Sequence, residues 1–292
     1  MRNELSATLR LSIPIIITNM SQIALGLIDS AMVGAIHYKQ LAASSLAINA
    51  IGIPQIICIG LTMAIAPLVA IARGRQDAVT ASRVLYNGVL LNTAFTLVVA
   101  LVCVFGSSIL LQLKQDPEVA ALSIPYFKIV SWSLIPMIIF LSFKQFSDAL
   151  EMTKTGMLIG LASMPLNFLL NWVFIYGNWG APRLELLGAG VGTLLTRIIQ
   201  AIAMFLIIIY HPSYKRFIAA SRQAWQLKIQ TLKELLHIGI PSGMQYAMEA
   251  GAFAISGIMV GWLGATAQAA HQIALNIASF SFMAALGLAQ GG

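Results

Sequence analysis

The stretch LSIPIIITNMSQIALGLI, Leu11–Ile28, runs 18 residues without a charged side chain and is followed at once by Asp29. A membrane-spanning helix needs about 20 predominantly apolar residues. Arg2 and Arg10 ahead of the stretch imitate a signal peptide, but Asn19, Ser21 and Gln22 interrupt it, which suits a cleaved apolar segment poorly. Comparable uncharged runs follow at Gln40–Ala72, Val84–Leu113, Ile129–Phe143 and Thr155–Pro182. Two more are joined across Arg197 and two across Glu249. They predict eight spans, at 11–36, 41–71, 84–111, 119–143, 156–177, 187–210, 235–262 and 266–290. Lipid leaves only helices or closed barrels, and runs of this length exclude barrel strands. The chain reads as an all-α polytopic membrane protein.

Composition agrees. Of 292 residues, 17 are Lys or Arg and 10 are Asp or Glu, so only 9% are charged while 59% are hydrophobic. Soluble domains average about 25% charged residues. A soluble enzyme and a disordered chain are excluded on that ground. The pI near 9.6 does not indicate nucleic-acid binding, because the basic residues sit between apolar runs rather than on one solvated face. Cys58 and Cys103 lie inside apolar runs and read as buried small hydrophobes, not as a disulfide framework or metal ligands.

Loop charge sets an expected orientation. One set of alternating loops holds Arg2, Arg10, Arg73, Arg75, Arg83, Lys144, Lys154, Lys215, Arg216, Arg222, Lys228 and Lys233; the other holds Lys39, Lys114 and Arg183. The positive-inside rule places the first set, and both termini, in the cytoplasm. The implied location is the cytoplasmic membrane.

Residues 9–61 align without gaps to 236–288, an offset of 227. The shared residues include Pro14/Pro241, Gly34/Gly261, Asn49/Asn276 and Gly60/Gly287. Six spans separate the copies, so the repeat is parallel, a device of transporters that rock two bundles about a midplane site. The expected organisation is a complete six-helix amino-terminal lobe over 1–210, a basic cytoplasmic linker with Trp225 over 211–234, and the first two helices of a second lobe over 235–292. With two of six helices in the second lobe, the chain reads as a truncated form of a longer parent, not expected to transport alone.

Asp29 and Glu249 are the acids within spans. Each costs roughly 2.5–3.5 kcal/mol at a helix centre on insertion scales, which makes ion binding or proton relay the first hypothesis. Thr18, Gln22, Gly26 and Asp29 form one polar stripe at helical spacing, and Glu249 corresponds to Gln22 through the repeat. Asn167 and Asn171 lie one turn apart on the fifth span, where they either orient polar ligands or bond neighbouring helices. Lys128 is placed to snorkel, and Arg197 to reach an acid or an interface. The ladders Gly26/Ser30/Gly34, Gly188/Gly192 and Gly257/Gly261 predict close helix approach. His37, His211, His237 and His271 sit near span ends and form no metal-spaced set; no catalytic triad stands out, and the chain is read as no enzyme and without a cofactor.

Several motifs resemble the multidrug and toxic compound extrusion (MATE) family. They are Asp29-Ser-Ala-Met-Val-Gly34, Pro67-Leu-Val-Ala70, Pro165-Leu-Asn167, Phe174-Ile-Tyr-Gly177, Leu187-Gly-Ala-Gly-Val-Gly-Thr193 and Ala270-His-Gln-Ile-Ala-Leu-Asn276. The resemblance implies an antiporter of two six-helix lobes that expels cationic, amphipathic compounds in exchange for Na⁺ or H⁺. It implies cation or proton coupling at Asp29 and Glu249, with Na⁺ as a possible ligand of either. It also implies a cavity network of Gln22, Asn167, Asn171 and Thr193, of which Thr193 is assigned by the resemblance alone. The DinF-like branch carries an aspartate where this chain has Asn171, which with Glu249 points to the NorM-like branch. The alternatives are a lipid-linked sugar flippase of the same superfamily and a non-transporting membrane fragment.

Overall fold

The computed structural model describes residues 2–113, 115–217, 226–275 and 277–278, with side chains except at 2–12, 249, 250 and 254. Its long helices are α1 (Arg2–Gly34), α2 (Tyr38–Met63), α3 (Ile65–Gly74), α4 (Ala78–Phe105), α5 (Pro117–Ala149), α6 (Thr153–Tyr176), α7 (Leu186–Tyr210) and α8 (Ile229–Gly261). A further helix covers 265–275, and no strand occurs among the described residues.

Six segments among the described residues are long and apolar enough to cross a membrane: Ile13–Gly34, Tyr38–Gly74, Ala78–Gln112, Pro117–Ala149, Thr153–Tyr176 and Leu186–Tyr210. They coincide with the first six expected spans. The chain is a multi-pass membrane protein. Large apolar side chains such as Phe105 and Val102 point outward, which in lipid needs no partner. The expected seventh span, 235–262, lies on α8. Of the eighth, 266–290, only the part up to residue 278 falls partly within the described residues.

Helix ends follow local chemistry. Asp77 caps α4 by accepting from the Thr80 N–H at 2.9 Å, and Asp116 caps α5 from the Glu118 N–H at 2.9 Å with Pro117 at the first helical position. Gly177, at φ +76°, ends α6 in the left-handed region. His37 and His211 accept backbone N–H bonds from Lys39 and Ser213, so both are caps.

In packing, α5 lies against α7, α2 and α4, while α1 lies on α6 and α6 on α7. One cluster, around Leu46, Leu134 and Ile138, fills the interior between α2, α4, α5 and α7; a second, around Phe140, Phe146 and Tyr214, closes the end where α5 meets α6. α8 runs along α2, and Gly60 and Gly243 let the two backbones touch: a Cβ on Gly60 would fall on Gly243.

Two expectations need correction. The helix expected to stop at residue 143 continues to Ala149 and carries Lys144 inward, where its stem lies on Gly156 and its Nζ bonds Asp148 at 2.8 Å. The side chains of this pair are only 7% and 12% exposed. An i,i+4 partner of opposite sign is what permits an ammonium there, so Lys144 is no solvated loop cation. The glycine ladders also divide. Gly34, Gly188, Gly192, Gly257 and Gly261 each face an atom of another element, but a Cβ on Gly26 would meet nothing within 4 Å. Gly26 lines a cavity instead.

Candidate ion and substrate site

The site is assembled where α1, α6 and α7 meet. α1 and α6 run parallel: Gly160 lies against Thr18 and Ser21, and Asn171 against Asp29. α7 runs antiparallel to α6, with Gly188 on Phe174 and Gly192 on Asn171. Because Gly192 has no side chain, Asn171 fits between the helices and reaches α1.

Asp29 is 7% exposed, and both of its carboxylate oxygens accept hydrogen bonds. Asn171 Nδ2 donates to Oδ1 at 2.6 Å and Thr193 Oγ1 to Oδ2 at 2.6 Å; Asn171 Nδ2 also approaches Asn167 Oδ1 at 3.3 Å. Donors to an ionised acceptor are the strong ones, so this is a seat for a buried charge. The seat is not saturated. Asn171 Oδ1, Asn167 Nδ2 and Gln22 Nε2 are buried with no hydrogen-bond partner among the described residues. Carboxylate, amide and hydroxyl oxygens together make the donor set that hard cations prefer.

A cavity of about 190 Å³ opens beside the carboxylate. Gln22, Asp29, Asn167 and Thr193 line it, as do Tyr126, Gln55, Thr196 and Arg197. Arg197 Nη1 donates to Ser133 Oγ on α5 at 2.6 Å, which names the partner that the sequence left open. One wall therefore carries a carboxylate and another a guanidinium.

Five of the six site residues expected from the sequence converge here: Gln22, Asp29, Asn167, Asn171 and Thr193. Glu249 lies on α8, and its side chain falls outside the described residues. Lys128 is exposed on α5, His237 is exposed on α8, and the Nε2 of His271 is buried without a partner among the described residues. Tyr126, Gln55 and Thr196 went unread. For Arg197 the spacing was a usable signal, since it lies one turn after Thr193 on one face of α7. Among the described residues no three His, Cys, Asp or Glu side chains gather to hold a metal ion.

This fold and site define a polytopic helical membrane protein with a buried acid facing an internal polar cavity. The chain belongs to the MatE family, whose profile matches residues 14–173 and 241–292, and it is NorM-like within it. The probable multidrug resistance protein NorM of Pseudomonas putida is 34% identical over 285 residues, covering 98% of this chain and 62% of that protein. The NorM of Rhizobium meliloti is 34% identical over 286 residues, covering 98% and 61%. A solved MOP superfamily transporter from Pyrococcus furiosus superposes with a TM-score of 0.81 at 20% identity, covering 98% of this chain and 62% of that one. The chain spans about six-tenths of the length of the curated relatives it matches.

Proposed function

We propose that this protein serves the export of cationic, amphipathic compounds across the cytoplasmic membrane, coupled to Na⁺ or H⁺ at Asp29. One observation carries the reading: a carboxylate held by Asn171 and Thr193 inside a cavity, with Asn171 Oδ1 unsatisfied beside it. A buried acid of this kind holds a proton, a metal cation or an organic cation in competition, because each neutralises the same desolvated charge. The likeness to relatives named as multidrug resistance proteins supports the same reading. Glu249 is the second coupling acid in this proposal, placed by the repeat. Residues 1–210 and 235–292 belong to two lobes joined by a cytoplasmic linker over 211–234, and the excess of basic loops puts the Arg2 end in the cytoplasm.

Arg197 favours one further reading, a lipid-linked sugar flippase, because a guanidinium in the cavity wall suits a pyrophosphate. Asp29 beside it opposes an anion, so export of cations is the reading adopted.

The test is binding by the purified protein in lipid nanodiscs. A fluorescent organic cation is titrated against Na⁺ at fixed pH and against pH at fixed Na⁺, with choline chloride as the salt control. Organic-cation affinity is expected to fall as one of the two ions rises, and Asp29→Asn to remove the dependence. Indifference to both ions in the unmodified protein ends the proposal, and displacement by a polyprenyl pyrophosphate alone selects the flippase.

A further inference from the structure

Two helical turns from Asp29 lies a second polar layer, of which the site above uses only Gln22. Gln200, on α7, is 2% exposed, and neither its Nε2 nor its Oε1 has a hydrogen-bond partner among the described residues. It follows Thr193 by seven residues, two helical turns or about 10 Å along the axis. Gln22 precedes Asp29 by the same interval on α1, lines the cavity and leaves its Nε2 unpartnered.

The helix registers bring these two amides to one level. On α7, Gly192 lies against Asn171 of the antiparallel α6, so eight residues further along α7 stands opposite Ser163. On α1, Asp29 meets Asn171 and Ser21 meets Gly160, so the parallel α1 brings Gln22 to the level of Ser163. Ser163 is 2% exposed and spends its proton on the Gly160 carbonyl at 2.6 Å, which leaves its oxygen able to accept. Gln22, Ser163 and Gln200 thus form one layer from three helices. Beyond it, toward the other end of α6, lies the buried Lys144–Asp148 pair, whose Asp148 Oδ1 is again without a partner among the described residues.

A buried polar group left unsatisfied destabilises the fold. Two donors and one acceptor on two glutamines, together with the Ser163 oxygen, supply the 2–4 polar partners that a buried water requires. We propose that the Gln22–Ser163–Gln200 layer is a water site, able to pass a small hydrated cation or a proton between Asp29 and the Lys144–Asp148 end of the bundle. The transfer role rests on the proposed coupling at Asp29; the hydration does not.

The experiment is thiol reactivity of the purified protein with Cys58 and Cys103 replaced by alanine. A small cationic methanethiosulfonate reacts with thiolates, which form where water reaches. Gln200→Cys and Gln22→Cys are compared with Leu134→Cys, in the fully buried apolar interior. Both glutamine sites are expected to react at least about tenfold faster than the Leu134 site. Asp29→Asn should leave that reactivity in place while removing ion-dependent binding, so the two proposals fail separately. Reactivity at position 200 no faster than at 134 overturns the water site. Should Gln200→Cys not fold, Gln200→Leu decides: an unchanged or lower melting temperature supports hydration, and a higher one shows a dry, uncompensated amide.

Discussion

Ser45 Oγ bonds Gln272 Oε1 at 2.9 Å, and the two positions are 227 residues apart, the offset of the internal repeat. A residue and its equivalent in the sequence repeat are thus in direct contact. The contact joins α2 to the 265–275 helix. Ser45 is fully buried, and Asn49 Nδ2 approaches its hydroxyl at 3.3 Å.

A double-mutant cycle checks the contact. Ser45→Ala and Gln272→Ala are expected to couple by about 1 kcal/mol in unfolding experiments on the reconstituted protein. Strictly additive effects would show that the two side chains do not interact.

Thr193 should matter only while Asp29 is charged. Thr193→Val keeps the shape but withdraws the donor to Oδ2, and a hydrogen bond to a charged group is worth about 1.5–3 kcal/mol. In Na⁺-free buffer, at a pH alkaline enough to ionise Asp29, the variant should be destabilised by about that amount. In an Asp29→Asn background the same change should cost less than about 1 kcal/mol. Equal losses in the two backgrounds would show that Thr193 packs rather than supports the charge.

Two glycines should respond oppositely to alanine. A Cβ on Gly188 falls on the Phe174 carbonyl group, so Gly188→Ala must push α7 off α6, at a cost of about 1–3 kcal/mol. Gly26 faces open space, and Gly26→Ala should leave stability unchanged or raise it by up to about 1 kcal/mol through helix propensity. Melting temperatures of the two variants decide the matter.

Asp77 gives a pH dependence outside the membrane segments. The Thr80 hydroxyl and N–H both donate to its carboxylate, and they hold its pKa below the ordinary 3.8. A lowered folded-state pKa means the cap stabilises fully above the unfolded value and is lost as pH falls through the folded one. Asp77→Ala should cost about 1 kcal/mol at pH 7. The gap to the unmodified protein should close as acid takes the pH below the ordinary value. A gap that is constant down to the lowest pH at which the protein stays folded would count against the carboxylate as the source.

Much was legible locally. Uncharged runs located the first six spans to within about six residues at each end, because the cost of a charge in hydrocarbon acts residue by residue. Helical periodicity put Gln22, Gly26 and Asp29 on one face, and all three line the cavity. Asn167 and Asn171 were visible as a polar pair one turn apart, and both sit beside Asp29.

Pairing between helices was not legible. That Asn171 would donate to Asp29, 142 residues away, depends on the rotation of α6 against α1 and on Gly192 making room. Nor did local pattern show that Arg197 would bond Ser133 instead of an acid, that Lys144 would turn inward to Asp148, or that Gln200 would be buried. The sequence by itself determined which residues enter the membrane and which face of each helix is polar, since apolar transfer and helical period are properties of a single segment. The tertiary structure decided which polar faces meet, at what level and around which cavity, because register and rotation are set jointly by all the packed helices.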